Sequence, residues 1–217
     1  MKIISNTAIS LDGKISTRTH EHLSLGSDLD RKKMSELRSK ADAVLVGGNT
    51  FRNWPYPLIE KEAHGFAVKR NKPLLNVVLT HHGVHDASLG LKGWPCQNVE
   101  LVFCAHQSAQ FSQEILDVQP QVLRYETLNI VDAIEYIADR GCEILLIEAG
   151  GQLLFELFEL NLIDDVYLTL CPLIIGGAQA PTLSDGQGFD AKTLKTFNLV
   201  TQKVCGDEIY LHYTPKR

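Results

Sequence analysis

The stretch Glu143–Glu159 constrains the fold more than any other part of the chain. It begins with Ile144–Ile147, an apolar run too short for a helix, which predicts a strand buried on both faces. Gly150 and Gly151 then interrupt the apolar pattern. The apolar residues that follow recur at helical spacing: Leu153, Leu154, Leu157, Phe158 and Leu160. The stretch therefore predicts a strand, a glycine turn and a helix, in that order.

A glycine turn of this kind is a candidate anion site. A helix that starts at the carboxyl edge of a sheet points bare N–H groups and a positive dipole end into the crevice there, where phosphates bind. Glycines let a ligand approach the backbone, and Glu148 is expected at the rim of the crevice. Many α/β proteins have such a turn without a ligand, and the dinucleotide fingerprint G-x-G-x-x-G does not occur in this chain.

A second copy of the arrangement favours the binding interpretation. The apolar run Ala43–Val46 leads into Gly47 and Gly48, again a strand followed by a Gly-Gly turn. Two such turns at neighbouring strand ends predict that one ligand is held from two sides.

Composition restricts the class of protein. The 217 residues are 44% hydrophobic and 22% charged, as in ordinary globular proteins. The net charge is −5, so the chain does not have the excess of basic residues that is typical of nucleic-acid binders. No apolar run approaches the roughly 20 residues of a membrane helix, and the N-terminus does not resemble a signal peptide. The five scattered cysteines contain no C-x-x-C pair and favour a reducing cytoplasm.

The remaining pattern predicts one domain over residues 1–217 with a three-layer α/β/α architecture. Alternating β and α elements predict a mostly parallel central sheet, followed by antiparallel C-terminal strands. The predicted strands are Lys2–Ser10, Ala43–Val46, Leu74–Thr80, Val99–Cys104, Val122–Tyr125, Ile144–Ile147, Asp165–Leu173, Lys195–Lys203 and Glu208–Tyr213. The other predicted helices run from a Ser27 cap to about Lys40, over Ser108–Asp117 and over Asn129–Asp139.

Histidines spaced like metal ligands occur twice, as His20 and His22 and as His81, His82 and His85. No acidic or cysteine partner completes either set, so solvated loops and no metal site are expected.

Four motifs together resemble a known family. They are Ser10–Lys14, Leu37–Thr50, Ile147–Gly151, and Leu162–Val166 running into Pro172–Gly177. Their order and spacing resemble the pyrimidine reductase of riboflavin biosynthesis, the RibD C-terminal domain family, over nearly the whole chain. The resemblance implies the dihydrofolate reductase fold and a homodimer. Nothing resembles the zinc deaminase domain that often precedes this domain in the family, so a free-standing reductase is expected.

The resemblance also implies the reaction. Members take hydride from NADPH and reduce the ribosylamino group of 5-amino-6-(5-phosphoribosylamino)uracil, or its 2,5-diaminopyrimidinone analogue, to a ribitylamino group. Arg38 and Glu148 match substrate positions, and an arginine suits a substrate phosphate because it donates two charge-assisted hydrogen bonds. Lys14 matches a lysine near the ribose chain, and Lys14 and Glu148 are the catalytic candidates. Asp12, by contrast, is expected to form the turn.

The cofactor positions follow from the same resemblance. Gly150, Gly151, Gln152 and Leu153 are expected at the NADPH pyrophosphate, with Gly47, Gly48 and Thr50 at the paired turn. Ala8 is expected near the nicotinamide. Thr80 and His81 follow the third strand, where this fold usually meets the adenosine 2′-phosphate.

Two departures from the family pattern leave the substrate open. His22-Leu23-Ser24 stands where members often show Ser-x-Trp, and Asn53–Leu58 replaces a segment with two carboxylates by one with two aromatic residues. A more apolar ligand that stacks on Trp54 or Tyr56 is an alternative, as in reduction of another carbonyl, imine or pterin-like substrate. A non-catalytic nucleotide-binding dimer is the third alternative.

Overall fold

The computed structural model describes residues 1–19, 23–60, 70–85, 91, 93–94 and 98–216. They form two compact units, the first of Met1 with Ser35–Leu146 and the second of Lys2–Met34 with Ile147–Arg217. The single domain over 1–217 stays a prediction. His20 and His22 lie outside the described residues.

The helices and strands follow one another along the described chain in the order given next. They are β1 (Lys2–Ser10), α1 (Asp28–Lys40), β2 (Ala43–Gly47), α2 (Gly48–Asn53), β3 (Leu74–Thr80), β4 (Gly83–Val84), β5 (Val99–His106), β6 (Gln110–Phe111), α3 (Gln113–Asp117), β7 (Gln121–Tyr125), α4 (Ile130–Asp139), β8 (Ile144–Ile147), α5 (Gly151–Glu159), β9 (Asp165–Cys171), β10 (Phe197–Cys205) and β11 (Glu208–Pro215). Within the described ranges, no helix has the length and apolar character needed to cross a bilayer.

In the first unit the strands neighbour one another in the order β8-β2-β3-β5-β7. The pairs β2–β3, β3–β5 and β5–β7 are parallel, with Val46 opposite Val78 and Val78 opposite Phe103. Six of the seven β3 residues are buried, as expected for a strand covered on both faces. The predicted parallel sheet is therefore confirmed.

The helix predicted over Ser108–Asp117 is wrong in its first half. Gln110 and Phe111 form β6, which pairs with β4, and the helix begins only at Gln113. The Ser112 hydroxyl accepts a hydrogen bond from the Ile115 backbone N–H, so Ser112 is the N-cap. Strand pairing with a remote segment, invisible to local spacing, decided the conformation of this region.

The second unit joins parallel and antiparallel pairing in the order β10-β11-β9-β1. β1 and β9 run parallel, with Ala8 opposite Thr169 and Ser10 opposite Cys171. β11 pairs antiparallel with both β9 and β10. The antiparallel C-terminal strands are confirmed, and β9 additionally has a parallel neighbour that the sequence pattern does not indicate.

Candidate functional site

The two predicted Gly-Gly turns have the same local structure. Gly47 and Gly150 are the N-caps of α2 and α5, both in extended conformation and without a side-chain capping bond. A Cβ atom added to either residue would meet no other heavy atom within 4 Å. The space in front of each N-cap glycine is therefore open to a ligand, and the first N–H groups of the helix remain available to it.

The second glycine of each pair has a different reason to be glycine. A Cβ atom on Gly151 would overlap the Asp185 carboxylate and the Thr182 carbonyl oxygen. A Cβ atom on Gly48 would lie 2.6 Å from Thr80 Oγ1. Close approach of the chain itself, not of a ligand, accounts for Gly48 and Gly151. The expected ligand contacts thus concentrate on the first glycine and the helix end.

Asp12 ties the Ser10–Lys14 turn to the segment after β9. Its carboxylate accepts hydrogen bonds from the Ser10 hydroxyl at 2.6 Å, the Ile175 backbone N–H at 3.1 Å and the Gly176 backbone N–H at 2.7 Å. These donors, with the Ser10 hydroxyl as the largest contribution, lower the pKa of Asp12 to about 2. The structure agrees with a structural role for Asp12.

Asp12→Ala should therefore change the acid stability of the protein. The folded-state pKa lies below the ordinary aspartate value, so the contribution of Asp12 is fully present above pH ~4 and is lost as the pH falls toward ~2. Urea unfolding at pH 7 and at pH 3 should show a wild-type advantage over the variant that shrinks at pH 3. An advantage that grows on acidification would contradict this role.

Lys14 also joins the Ser10–Lys14 turn to the segment that follows β9. Its ammonium group donates to the Ala180 carbonyl oxygen at 3.0 Å, and its backbone forms an isolated bridge with Thr182. The Gly-Gly turn of α5 is joined to the same segment, because the Asp185 backbone N–H donates to the Gly151 carbonyl oxygen at 2.9 Å. Three motifs of the second unit, Ser10–Lys14, the segment 173–185 and the Gly-Gly turn of α5, are thus brought together.

The other predicted residues of the second unit lie near these motifs in sequence and differ in exposure. Glu148 directly follows β8 and is half-buried, with a polar partner of its own. Gln152 is exposed in the first turn of α5, and Leu153 is half-buried. Ala8 is half-buried on β1. Exposed or half-buried groups of this kind remain accessible to a ligand.

Residues predicted in the first unit include two whose polar groups are used internally. Arg38 is only 6% exposed, and its guanidinium donates to the Ile59 carbonyl oxygen at 3.2 Å. Thr80 is 3% exposed and accepts from the Gly83 backbone N–H at 3.0 Å. Thr50 is half-buried in α2, and His81 is exposed with its ring 6.2 Å from that of His106. The ligand roles of these residues stay predictions. The binding of one ligand by both Gly-Gly turns also stays a prediction.

Asp30 is a buried carboxyl group in the first turn of α1 that the sequence analysis did not single out. Thr169 Oγ1 donates to Asp30 Oδ1 at 2.6 Å, and both residues are buried, Asp30 with 9% of its surface exposed. Asp30 is one of two acidic residues in the first turn of α1, a position that acidic residues favour at any helix start. The available signal was its helical spacing of four from Met34, which places Asp30 on the apolar stripe that continues through Leu37 and Ala41.

A second buried carboxylate lies beside this group. Glu208 is 4% exposed and accepts from the Ser27 backbone N–H and the Ser27 hydroxyl, both at 2.6 Å, and from the Tyr210 hydroxyl at 2.9 Å. These bonds join the start of α1 to β11. Burial raises the pKa of the nearby Cys171 thiol to about 12, so Cys171 stays protonated and packs as a small apolar residue.

Comparison with known proteins gives a family match over almost the whole chain. The family described as RibD C-terminal domain matches residues 1–211. A 2,5-diamino-6-ribosylamino-4(3H)-pyrimidinone 5′-phosphate reductase from Archaeoglobus fulgidus is 28% identical over 204 residues, which cover 86% of this chain and 87% of that protein. Other relatives are longer, and this chain spans only about a third of the length of two plant riboflavin biosynthesis proteins.

Solved structures show the same fold. A pyrimidine reductase-like protein from Corynebacterium diphtheriae has a TM-score of 0.78 at 19% identity, covering 100% of this chain and 92% of that one. A dihydrofolate reductase from Enterococcus faecalis, complexed with NADP(H), has a TM-score of 0.50 at 16% identity, and the match covers 100% of this chain and 97% of that one. The expected dihydrofolate reductase-like α/β fold is confirmed.

Proposed function

Since the chain belongs to the RibD C-terminal domain family, we propose that it is an NADPH-dependent reductase of riboflavin biosynthesis. It reduces the ribosylamino group of a phosphorylated aminopyrimidine to a ribitylamino group in the cytoplasm. The observation that carries the proposal is the convergence of Ser10–Lys14, the segment 173–185 and the α5 turn in one unit, with open space in front of Gly150.

The residues of the α5 turn fit a dinucleotide phosphate. Gly150 has no atom within 4 Å of the position that a Cβ would fill, and no side chain occupies the capping position of α5. A pyrophosphate placed there receives backbone N–H groups and the positive end of a nine-residue helix. NADPH held in this way supplies the hydride of the reduction.

The protein contributes position and charge around the reacting sugar. Glu148, half-buried beside the turn, accepts hydrogen bonds from the pyrimidine or the ribose. Lys14 brings a positive charge to the same unit, where it favours negative charge that develops on the sugar oxygen. Its bond to the Ala180 carbonyl fixes the end of the side chain and so orients that charge. Arg38 is the proposed partner of the substrate phosphate.

Cofactor binding tests the proposal most directly. In a thermal-shift titration, NADPH at 100 times its Kd should stabilise the folded protein by about 2.7 kcal/mol. NADH serves as the comparison, because it lacks the 2′-phosphate, and it should stabilise less at equal concentration. Oxidation of NADPH, followed by absorbance, should then depend on the ribosylaminopyrimidine phosphate. No shift with either nucleotide would rule out a nicotinamide-dependent reductase.

A different substrate for the same cofactor is the second candidate function. Trp54 and Tyr56 lie with ring centroids 4.5 Å apart, and Trp54 is 42% exposed although it is a large aromatic residue. This pair favours a flat ligand with a larger apolar ring, as in a pterin-like, carbonyl or imine substrate. NADPH binding without turnover of the pyrimidine would select this alternative.

The C-terminal strands support a homodimer. Three large apolar residues of β10 are exposed: Leu199 at 49%, Val200 at 50% and Val204 at 71%. Exposed apolar residues grouped on one strand are typical of a surface that binds another protein. We propose that a second copy of the chain covers this strand. Light scattering coupled to size exclusion should give twice the mass of 24.2 kDa, and a monomer at micromolar concentration would contradict it.

A further inference from the structure

A cavity of about 330 Å³ lies in the second unit, between the end of α5, the segment 192–196 and the paired ends of β10 and β11. Cavities that hold small organic ligands begin at about this size, near 300 Å³. The lining combines aromatic and basic side chains from these elements: Phe158, Phe197, Lys192, Lys195 and Lys216. This combination indicates the chemistry of a ligand.

The cavity lies at the amino end of the parallel strands β1 and β9. Ile163 of its lining precedes β9, and the Asp164 backbone N–H donates to the Ile3 carbonyl oxygen near the start of β1 at 2.8 Å. β11 runs antiparallel to β9, with Tyr213 opposite Val166, so the end of β11 reaches the same edge. The glycine turn stands at the other end of α5, about 13 Å away along a nine-residue helix. The cavity is therefore separate from the proposed cofactor turn.

The lining of the cavity is basic, although the chain carries a net charge of −5. Lys192 and Lys216 are exposed residues. The Lys195 ammonium group is fixed, because it donates to the Glu159 carbonyl oxygen at 3.1 Å and to Asn161 Oδ1 at 2.9 Å. Its charge thereby offsets the negative end of α5. Among the described residues that line the cavity, none is acidic. The charges favour an anionic ligand.

Aromatic rings form an apolar part of the same lining. The rings of Phe158 and Phe197 have centroids 5.8 Å apart at an interplanar angle of 79°, and both residues are half-buried. Ile163 adds a buried apolar group, whereas Leu194 is 60% exposed. Large apolar residues that are exposed beside a cavity are typical of a binding site, because a ligand covers them. An anion that also carries an apolar ring matches both parts of the lining.

We propose that this cavity is a second binding site, for a phosphate monoester that carries an aromatic ring and has about the size of a mononucleotide. The phosphate group lies between Lys192 and Lys216, and the ring packs on Phe158 and Phe197. A phosphate monoester carries about −1.5 to −2 charges at pH 7, which two ammonium groups match better than they match a carboxylate. Lysine binds phosphate as a point charge. The site does not depend on the reductase function, since it takes no part in the reaction.

Isothermal titration of the whole chain with naphthyl phosphate tests the site. Saturating NADPH is present so that the probe does not enter the cofactor turn. The wild type should bind with a Kd below about 1 mM. The double variant Lys192→Ala, Lys216→Ala should raise this Kd at least about tenfold, because it loses charge-assisted hydrogen bonds. Lys203→Ala is the matched control, since Lys203 is exposed on β10 and outside the lining, and it should keep the wild-type Kd.

The two parts of the ligand are tested separately. Naphthol lacks the phosphate and inorganic phosphate lacks the ring, so each should bind at least about tenfold more weakly than naphthyl phosphate. Leu194→Glu introduces a carboxylate at an exposed position of the lining and should weaken binding of naphthyl phosphate while Tm stays at the wild-type value.

An unchanged Kd in the double variant would overturn the proposal, because the probe would then bind elsewhere on the chain. Inorganic phosphate that binds as tightly as naphthyl phosphate would also overturn it. A change of oligomeric mass in the double variant, measured by light scattering, without a change of Kd would instead identify the cavity as a surface covered by a second copy. Failure of NADPH to bind would contradict the reductase function and would leave these outcomes as they stand.

Discussion

Gly151→Ala is expected to destabilise the folded protein, whereas Gly150→Ala should fold normally and lose affinity for NADPH. The methyl group on residue 151 would overlap the Asp185 carboxylate and the Thr182 backbone carbonyl, which cannot move as easily as the end of a flexible side chain. Overpacking of this kind costs about 1–3 kcal/mol. For a chain of this length, each kcal/mol lowers Tm by about 2–4 °C, which calorimetry measures directly.

Gly150→Ala isolates the contribution of the ligand. Gly150 has φ −74° and ψ 171°, a conformation open to alanine, and the added methyl group meets no atom of the protein within 4 Å. The methyl group would enter the space proposed for the pyrophosphate, so the Kd for NADPH should rise at least tenfold, or about 1.4 kcal/mol.

The two alanine variants control for each other, since they are adjacent and carry the same chemical change. Equal Tm values for both would show that the contact of Gly151 with the segment 182–185 does not constrain the fold. Wild-type affinity in Gly150→Ala would place the cofactor phosphates elsewhere.

Glu148→Gln is expected to abolish most turnover while NADPH still binds. Glutamine preserves the size of the side chain but removes the charge that accepts from the proposed substrate. Because a hydrogen bond to a charged group contributes about 1.5–3 kcal/mol, kcat/KM should fall about 10- to 150-fold. Steady-state kinetics with the ribosylaminopyrimidine phosphate, together with an NADPH titration, measures both effects.

Glu143→Gln is the matched control for this substitution. Glu143 is exposed and stands just before β8, whereas Glu148 stands just after it. Glu143→Gln should therefore keep wild-type kinetics and Tm. Turnover that survives in Glu148→Gln at the wild-type level would remove Glu148 from the substrate site.

Elements with a strong local pattern were predictable. The capping box of α4 illustrates why: Asn129 accepts from the Asp132 backbone N–H at 3.0 Å, and the Asp132 carboxylate accepts from the Asn129 backbone N–H at 3.1 Å. Both partners lie within four consecutive residues. The short strands β4 and β6 were not predictable, because Gly83 and Gln110 stabilise each other across a long separation in sequence.

The same distinction applies to the candidate site. Sequence pattern and resemblance identified Glu148, Gly150 and Lys14 as site candidates, but local spacing could not say which glycine of a pair is open. Asp28 and Asp30 have the same residue type and occupy the same helical turn, yet one is exposed and the other is bonded to Thr169. Their difference depends on what packs against α1.

The sequence by itself determined the order of the longer strands and helices, the two Gly-Gly turns and the α/β class, because periodicity and turn chemistry act within one element. Only the tertiary structure decided that the segment 182–185 fills the space beside Gly151, while the space in front of Gly150 stays open. It also decided that Lys14 bonds to the Ala180 carbonyl and that Asp30 is buried. Each of these facts depends on atoms remote in the chain, whose approach is set by packing and strand register and not by neighbouring residues.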